Sequence, residues 1–102
     1  MIASSITPLQ VDDGAPDSVR VSGALTFANA AVALDALTAA VARDGRHTLD
    51  LAGVTRTDSA GLACVLAVLA KAAEQGHKLT VRNIPEGMHL LARVCDVEGL
   101  MV

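Results

Sequence analysis

The stretch from His47 to Ile84 constrains the fold more than any other part of the chain. His47 to Val54 (HTLDLAGV) sets Leu49 and Leu51 on one strand face. Leu62, Val65, Leu66, Leu69 and Ala73 then keep helical spacing as far as Gly76, and Lys78 to Ile84 alternates again through Leu79, Val81 and Asn83. A strand, a helix and a strand within about 37 residues make a crossover unit, whose default geometry is right-handed with parallel strands.

The flanking segments complete the pattern. Ile6 to Val11 and Val19 to Gly23 alternate around a turn-rich Asp12-Asp13-Gly14-Ala15-Pro16-Asp17 insert, which predicts an antiparallel hairpin. After Gly23-Ala24-Leu25-Thr26, residues Ala30, Leu34, Leu37 and Val41 predict a first helix ended by Asp44-Gly45. Pro85 suits the first position of a third helix with Met88, Leu91, Ala92 and Cys95 on one face, followed by the apolar residues Val97, Leu100, Met101 and Val102. The order β-β-α-β-α-β-α is of the α/β class: a mixed sheet of about four strands under three to four helices, in one domain over residues 1–102. In such a sheet the loops at the carboxyl ends of the parallel strands gather, and function is expected there.

Composition removes several function classes. A net charge of −3 and a single aromatic residue, Phe27, give neither the electrostatic footprint nor the stacking surface of a nucleic-acid binder. The longest uncharged apolar run, Ala60 to Ala70, falls well short of the ~20 residues of a membrane span. Met1 to Ile6 lacks the pattern of a secretory leader, so a soluble cytoplasmic protein is expected. Cys64 and Cys95, without CxxC spacing, read as buried reduced thiols. His47, His77 and His89 fall in three elements without metal-ligand spacing, and neither a phosphate loop nor a dinucleotide fingerprint occurs; no metal or cofactor is assigned. The surroundings of Ser59 (Asp58-Ser59-Ala60-Gly61) are not a nucleophile elbow, and the expectation is a protein that is not an enzyme.

One segment carries a physical argument for function. Thr55 to Gly61 joins a strand to the start of the central helix, where Asp58 or Ser59 can cap orphan N–H groups. A phosphate on Ser59 would meet the positive end of the helix dipole and add close to two negative charges. On the helix itself, Leu62, Leu66, Leu69 and Ala73 share one side, while the opposite side, Ala60, Cys64, Ala67 and Val68, is apolar too and meets no charge before Lys71. Either a partner or a neighbouring helix of the same chain covers that side.

The stretch Thr48-Leu49-Asp50-Leu51-Ala52-Gly53-Val54-Thr55-Arg56-Thr57-Asp58-Ser59-Ala60-Gly61-Leu62-Ala63 resembles the central strand, loop and helix start of STAS domains, and Gly23-Ala24-Leu25-Thr26-Phe27 resembles that family's strand-two exit. The resemblance implies a STAS fold and a non-catalytic docking module. The stretch Asn83 to Leu100 is most similar to the small subunit of the Mla phospholipid ABC transporter, which implies binding to the cytoplasmic ATPase, with the permease in the complex, at the inner face of the membrane. The alternative branch implies an anti-sigma factor antagonist, with Ser59 phosphorylated by an anti-sigma kinase; Ala60 departs from that branch, where a second hydroxyl residue usually follows the Ser. The docking surface expected from the apolar helix and its capped start comprises Thr26, Phe27, Asp58, Ser59, Ala60, Cys64, Ala67, Val68 and Lys71.

Overall fold

The computed structural model describes residues 9–12, 16–43 and 46–101. They form β1 (Gln10–Asp12), β2 (Ser18–Leu25), α1 (Ala30–Val41), β3 (Thr48–Thr57), α2 (Ser59–Glu74), β4 (Thr80–Arg82), α3 (Glu86–Val94) and a closing 3-10 helix, Glu98–Met101. The strands lie in the order β1-β2-β3-β4. The β1–β2 pair is antiparallel, and β2–β3 and β3–β4 are parallel, as the hairpin and crossover patterns require. The part of the expected first strand before Leu9, and the Asp44-Gly45 stop of the first helix, lie outside the described residues.

One sheet face is the core. Val19, Val21, Leu49, Leu51 and Val81 are buried, whereas Arg20 and Arg82 between them are exposed and Asp50 is half-buried. All three helices therefore lie on one side, and the other side stays polar. There the register sets Asp12 beside Arg20, Arg20 beside Asp50, and Asp50 beside Arg82, so that a row of alternating charge crosses all four strands. Asp50 also accepts the Asn83 side-chain amide at 2.9 Å, and this bond, with the backbone N–H of Ala52 and the two arginines, holds its carboxyl below the usual carboxylate range.

β3 runs three residues beyond the expected end at Val54, because it carries two register shifts against β2: Arg20 faces Asp50 but Ser22 faces Gly53, and Gly23 faces Val54 but Ala24 faces Arg56. The first shift moves the inward positions from Leu49 and Leu51 to Val54, a change of parity that strict alternation does not anticipate. Gly53 makes it possible, since a Cβ there would lie 2.5 Å from that of Ser22.

α2 ends as its sequence suggests. At the C-terminus of α2, Gly76 has φ +71, the His77 N–H donates to the Ala72 carbonyl at 2.9 Å and the Gly76 N–H to the Ala73 carbonyl at 3.0 Å, a Schellman motif. The same pattern closes α3 through Asp96 and Val97. Pro85 is the residue before α3 rather than its first, with φ −58 and ψ 144.

Two sequence expectations are corrected by packing. α2 lies between α1 and α3, so its buried arc is Leu62, Cys64, Val65, Val68 and Ala72, and the expected inward residues Leu66 and Leu69 are only half-buried while Ala73 is exposed. Cys64 and Val68 are thus core residues of the isolated chain and are unavailable to a partner. Cys95, expected to be buried, caps α3 and is exposed, because the core face of that helix ends at Met88 and Ala92.

Candidate functional site

β2 and β3 run side by side to the pair Leu25–Thr57, so the segments leaving them emerge together at the carboxyl end of the sheet. Each is held by one side chain. In the exit from β2, the Asn29 side chain turns back: its Oδ1 accepts the Thr26 N–H at 3.0 Å and its amide donates to the Ala24 carbonyl at 2.9 Å. The Asn29 N–H closes the turn on the Thr26 carbonyl, and the Ala28 N–H donates to the Thr26 hydroxyl. In the exit from β3, Asp58 has extended backbone and caps α2, its Oδ1 accepting the Gly61 N–H at 3.0 Å.

The second carboxylate oxygen of Asp58 joins the two segments: Oδ2 accepts the Phe27 N–H at 3.1 Å. That bond, followed by those to Gly61 and Ala60 and the charge of Arg56, draws the Asp58 carboxyl below its usual range. Gly61 allows the closeness, since a Cβ at this position would stand 2.2 Å from the Leu25 carbonyl oxygen and 2.3 Å from the Thr57 hydroxyl. The first turn of α2 therefore presses directly on the end of β2.

The clamp leaves side chains on display. Phe27 is 84% exposed beyond it, and Ser59, the first residue of α2, is exposed as well. Thr26 is half-buried and, with Ala24, Ala28, Arg56, Thr57 and Asp58, lines a cleft of about 320 Å³. Of the residues expected to dock a partner, the structure brings together Thr26, Phe27, Asp58 and Ser59. Farther along α2, Ala60 and Ala67 are half-buried and Lys71 is exposed, whereas Cys64 and Val68 are buried in the core. Arg56, Thr57 and Gly61 lie in the segment singled out from the sequence but were not named as docking residues, whereas Asn29 lies outside it. Asn29 carried a sequence signal of its own, the preference of Asn for the residue before a helix.

Asp58 accepts backbone N–H groups with both carboxylate oxygens, and the exposed Ser59 follows it at the start of α2. His47 and His77 stack at 6.0 Å beside the opposite ends of β3 and β4, where the His77 ring bonds the Arg46 carbonyl, and His89 pairs with Glu98 at 2.9 Å. Among the described residues no group of His, Cys, Asp and Glu could hold a metal ion, and no helix is long and apolar enough to cross a membrane.

The fold is similar to that of the anti-sigma factor antagonist SpoIIAA in its unphosphorylated form, with a TM-score of 0.68 and 13% identity, covering 93% of this chain and 86% of that one. It is also similar to part of SLC26A9, with a TM-score of 0.68 and 19% identity over 83% of this chain and 17% of that one. No curated protein matches the sequence. Residues 10–102 match the family model described as "Mlab, STAS domain". With that match over residues 10–102 and the overall fold in agreement, the chain belongs to the STAS domain family.

Proposed function

We propose that the chain is a non-catalytic adaptor subunit of a phospholipid-trafficking ABC transporter, docking on the cytoplasmic ATPase to support its assembly and activity, peripheral to the inner membrane through that partner. The observation that carries the reading is the Asp58 clamp, which presents Phe27 and Ser59 together on a rigid rim, as a docking module requires. The family description, which names the MlaB type, supports the transporter branch. The module would act by binding one state of its partner more tightly than the others.

A second reading is favoured by one feature. Ser59 is an exposed hydroxyl at the first helical position, open to modification, and the fold is similar to that of an anti-sigma factor antagonist. Under this reading a kinase partner would phosphorylate Ser59, and the added charge beside Asp58 would alter docking.

The test is purification of the tagged protein from its native cell in mild detergent, with the bound proteins identified by mass spectrometry. An ABC ATPase together with a permease supports the adaptor, and its loss with Ser59→Glu assigns the rim to that interface. A soluble histidine-kinase-like anti-sigma factor, with phosphate on Ser59, replaces the adaptor reading by the second one.

A further inference from the structure

α2 has a groove on either side. Toward α1, a groove of about 520 Å³ opens between Leu34 and Asp35 on one wall and Ala67 and Lys71 on the other, with a charge of each sign along it. On the far side the trough is of a different kind. Leu66, Leu69, Ala70 and Ala73 of α2 and Leu100 of the closing 3-10 helix line about 240 Å³ without a polar side chain among them. The trough continues past Gly76 into a wider space of about 380 Å³, where Leu69, Ala73 and Leu100 are joined by His77, Lys78 and Leu79. This apolar lining is open to water: Leu100 is 65% exposed, Ala70 and Ala73 are exposed, and Leu66, Leu69 and Leu79 are half-buried.

The dimensions decide what can lie there. Leu66 and Ala73 are seven residues apart on α2, about 10 Å, so 240 Å³ spread over that length gives a mean section of about 23 Å². A helix with its side chains, roughly 10–12 Å across, has a section of roughly 80–110 Å². An extended peptide, about 4.8 Å by 10 Å, has about 48 Å². Neither fits inside, whereas a single hydrocarbon chain does.

The wide end supplies a head-group site of one sign. Lys78 is exposed there and is the one fixed charge among the lining residues, while the His77 ring is held by the Arg46 carbonyl. None of the described residues that line the trough is acidic. The C-terminus of α2 opposes an anion, but the carbonyls of Ala72 and Ala73 are already bonded to the N–H groups of Gln75, Gly76 and His77. The half charge of a helix end is also smaller than the whole charge on Lys78.

We infer that this trough binds a long-chain fatty acid, its hydrocarbon along Leu66, Leu69 and Leu100 and its single carboxylate against the single ammonium of Lys78. A second copy of this chain offers Leu90 and Val94 of α3, with Glu86 four residues before Leu90, but on a helix that rests over the trough and leaves most of its length empty. The trough lies at the end of α2 away from the Phe27 and Ser59 rim, so the inference goes beyond the adaptor reading and stands without it.

The test is isothermal titration calorimetry of the native protein with dodecanoate, octanoate and dodecylammonium, each below its micelle concentration. Dodecanoate should bind, octanoate roughly tenfold more weakly because four methylenes fewer are buried, and dodecylammonium roughly threefold more weakly than dodecanoate. Lys78→Glu, at an exposed position, should reverse the preference between the two head groups. Ala73→Trp, which fills the junction of the narrow and wide parts, should abolish binding, and Val32→Ser, on the exposed side of α1, should leave it unchanged. Should Ala73→Trp fail to fold, the reversal in Lys78→Glu decides alone. No binding of dodecanoate, a head-group preference that ignores Lys78→Glu, undiminished binding in folded Ala73→Trp, or loss of binding in Val32→Ser overturns the inference. Sedimentation showing a dimer that Ala73→Trp dissociates overturns it as well, and gives the trough to α3 of a second copy.

Discussion

Asp58 accepts the backbone N–H of Phe27 at 3.1 Å across 31 positions of sequence, so a single carboxylate couples the exit of β2 to the start of α2. The geometry of the rim depends on that oxygen more than on the side chains displayed there. Asp58→Ala removes the helix cap and the inter-loop bond together, and it should destabilise the domain by about 1–3 kcal/mol in urea unfolding. Asp58→Asn keeps one acceptor and should cost less. Loss of partner binding in Asp58→Asn with stability nearly intact would locate the effect in the Phe27 segment.

The lowered carboxyls of Asp58 and Asp50 set the acid side of the stability curve. Each has a folded value below the unfolded one of about 3.9, so each contributes stability that is present above that value and is lost as pH falls through the lower folded one. Melting temperature should therefore drop as pH falls below about 4. Asp58→Asn and Asp50→Asn, combined, should flatten that drop in a thermal-melt series, and an unchanged acid slope in the double variant would contradict the assignment.

Two glycines in helices should respond oppositely to alanine. At Gly61 an added Cβ meets the Leu25 carbonyl oxygen at 2.2 Å, an atom fixed by the sheet, so Gly61→Ala should cost about 1–3 kcal/mol despite the better helix propensity of alanine. At Gly87, in the first turn of α3, nothing lies within 4 Å, and Gly87→Ala should stabilise by up to about 1 kcal/mol. Denaturation midpoints of the two variants check both signs.

The fold was legible where a local rule and the tertiary contact agree. Leu49 and Leu51 alternate into the core, Gly76 closes α2 with positive φ, and the strand-helix-strand succession yields parallel pairing. Asp58 was legible as one of two candidate caps, with Ser59, because capping is a matter of three residues. Its second bond was not, since nothing local in a sequence marks a partner 31 positions away. The parity change at Gly53 escaped for a related reason, being set by the neighbouring strand. The buried arc of α2 was read one step around the helix, at Leu66 and Leu69 instead of Cys64 and Val68: a helix apolar on every side is oriented by its neighbours α1 and α3.

The two thiols should separate cleanly in reactivity. Cys95 is exposed at the end of α3, whereas Cys64 is buried and burial raises its thiol above the usual range. Under native conditions one equivalent of thiol should react rapidly with a disulfide reagent, and Cys95→Ser should abolish that phase. Cys64 should react only at the rate of unfolding, so rapid labelling of Cys64 in the folded Cys95→Ser protein would contradict its placement in the core.

Ala67 tests whether the α1–α2 groove is surface or interior. It is half-buried, while its neighbour Val68 is fully buried. A glutamate at position 67 can extend into the groove and stands one helical turn before Lys71, an arrangement that favours the helix by a few tenths of a kcal/mol. Ala67→Glu should therefore leave stability within about 1 kcal/mol of the original. Leu37→Ala, on the buried face of α1, should cost about 2–5 kcal/mol. The same glutamate places a charge in the groove, so a partner that docks on this side of α2 should be displaced. Thermal melts and partner binding measured on one Ala67→Glu sample separate the two effects: unfolding would make the groove part of the core, and a folded protein that still binds fully would leave the groove without a role in docking.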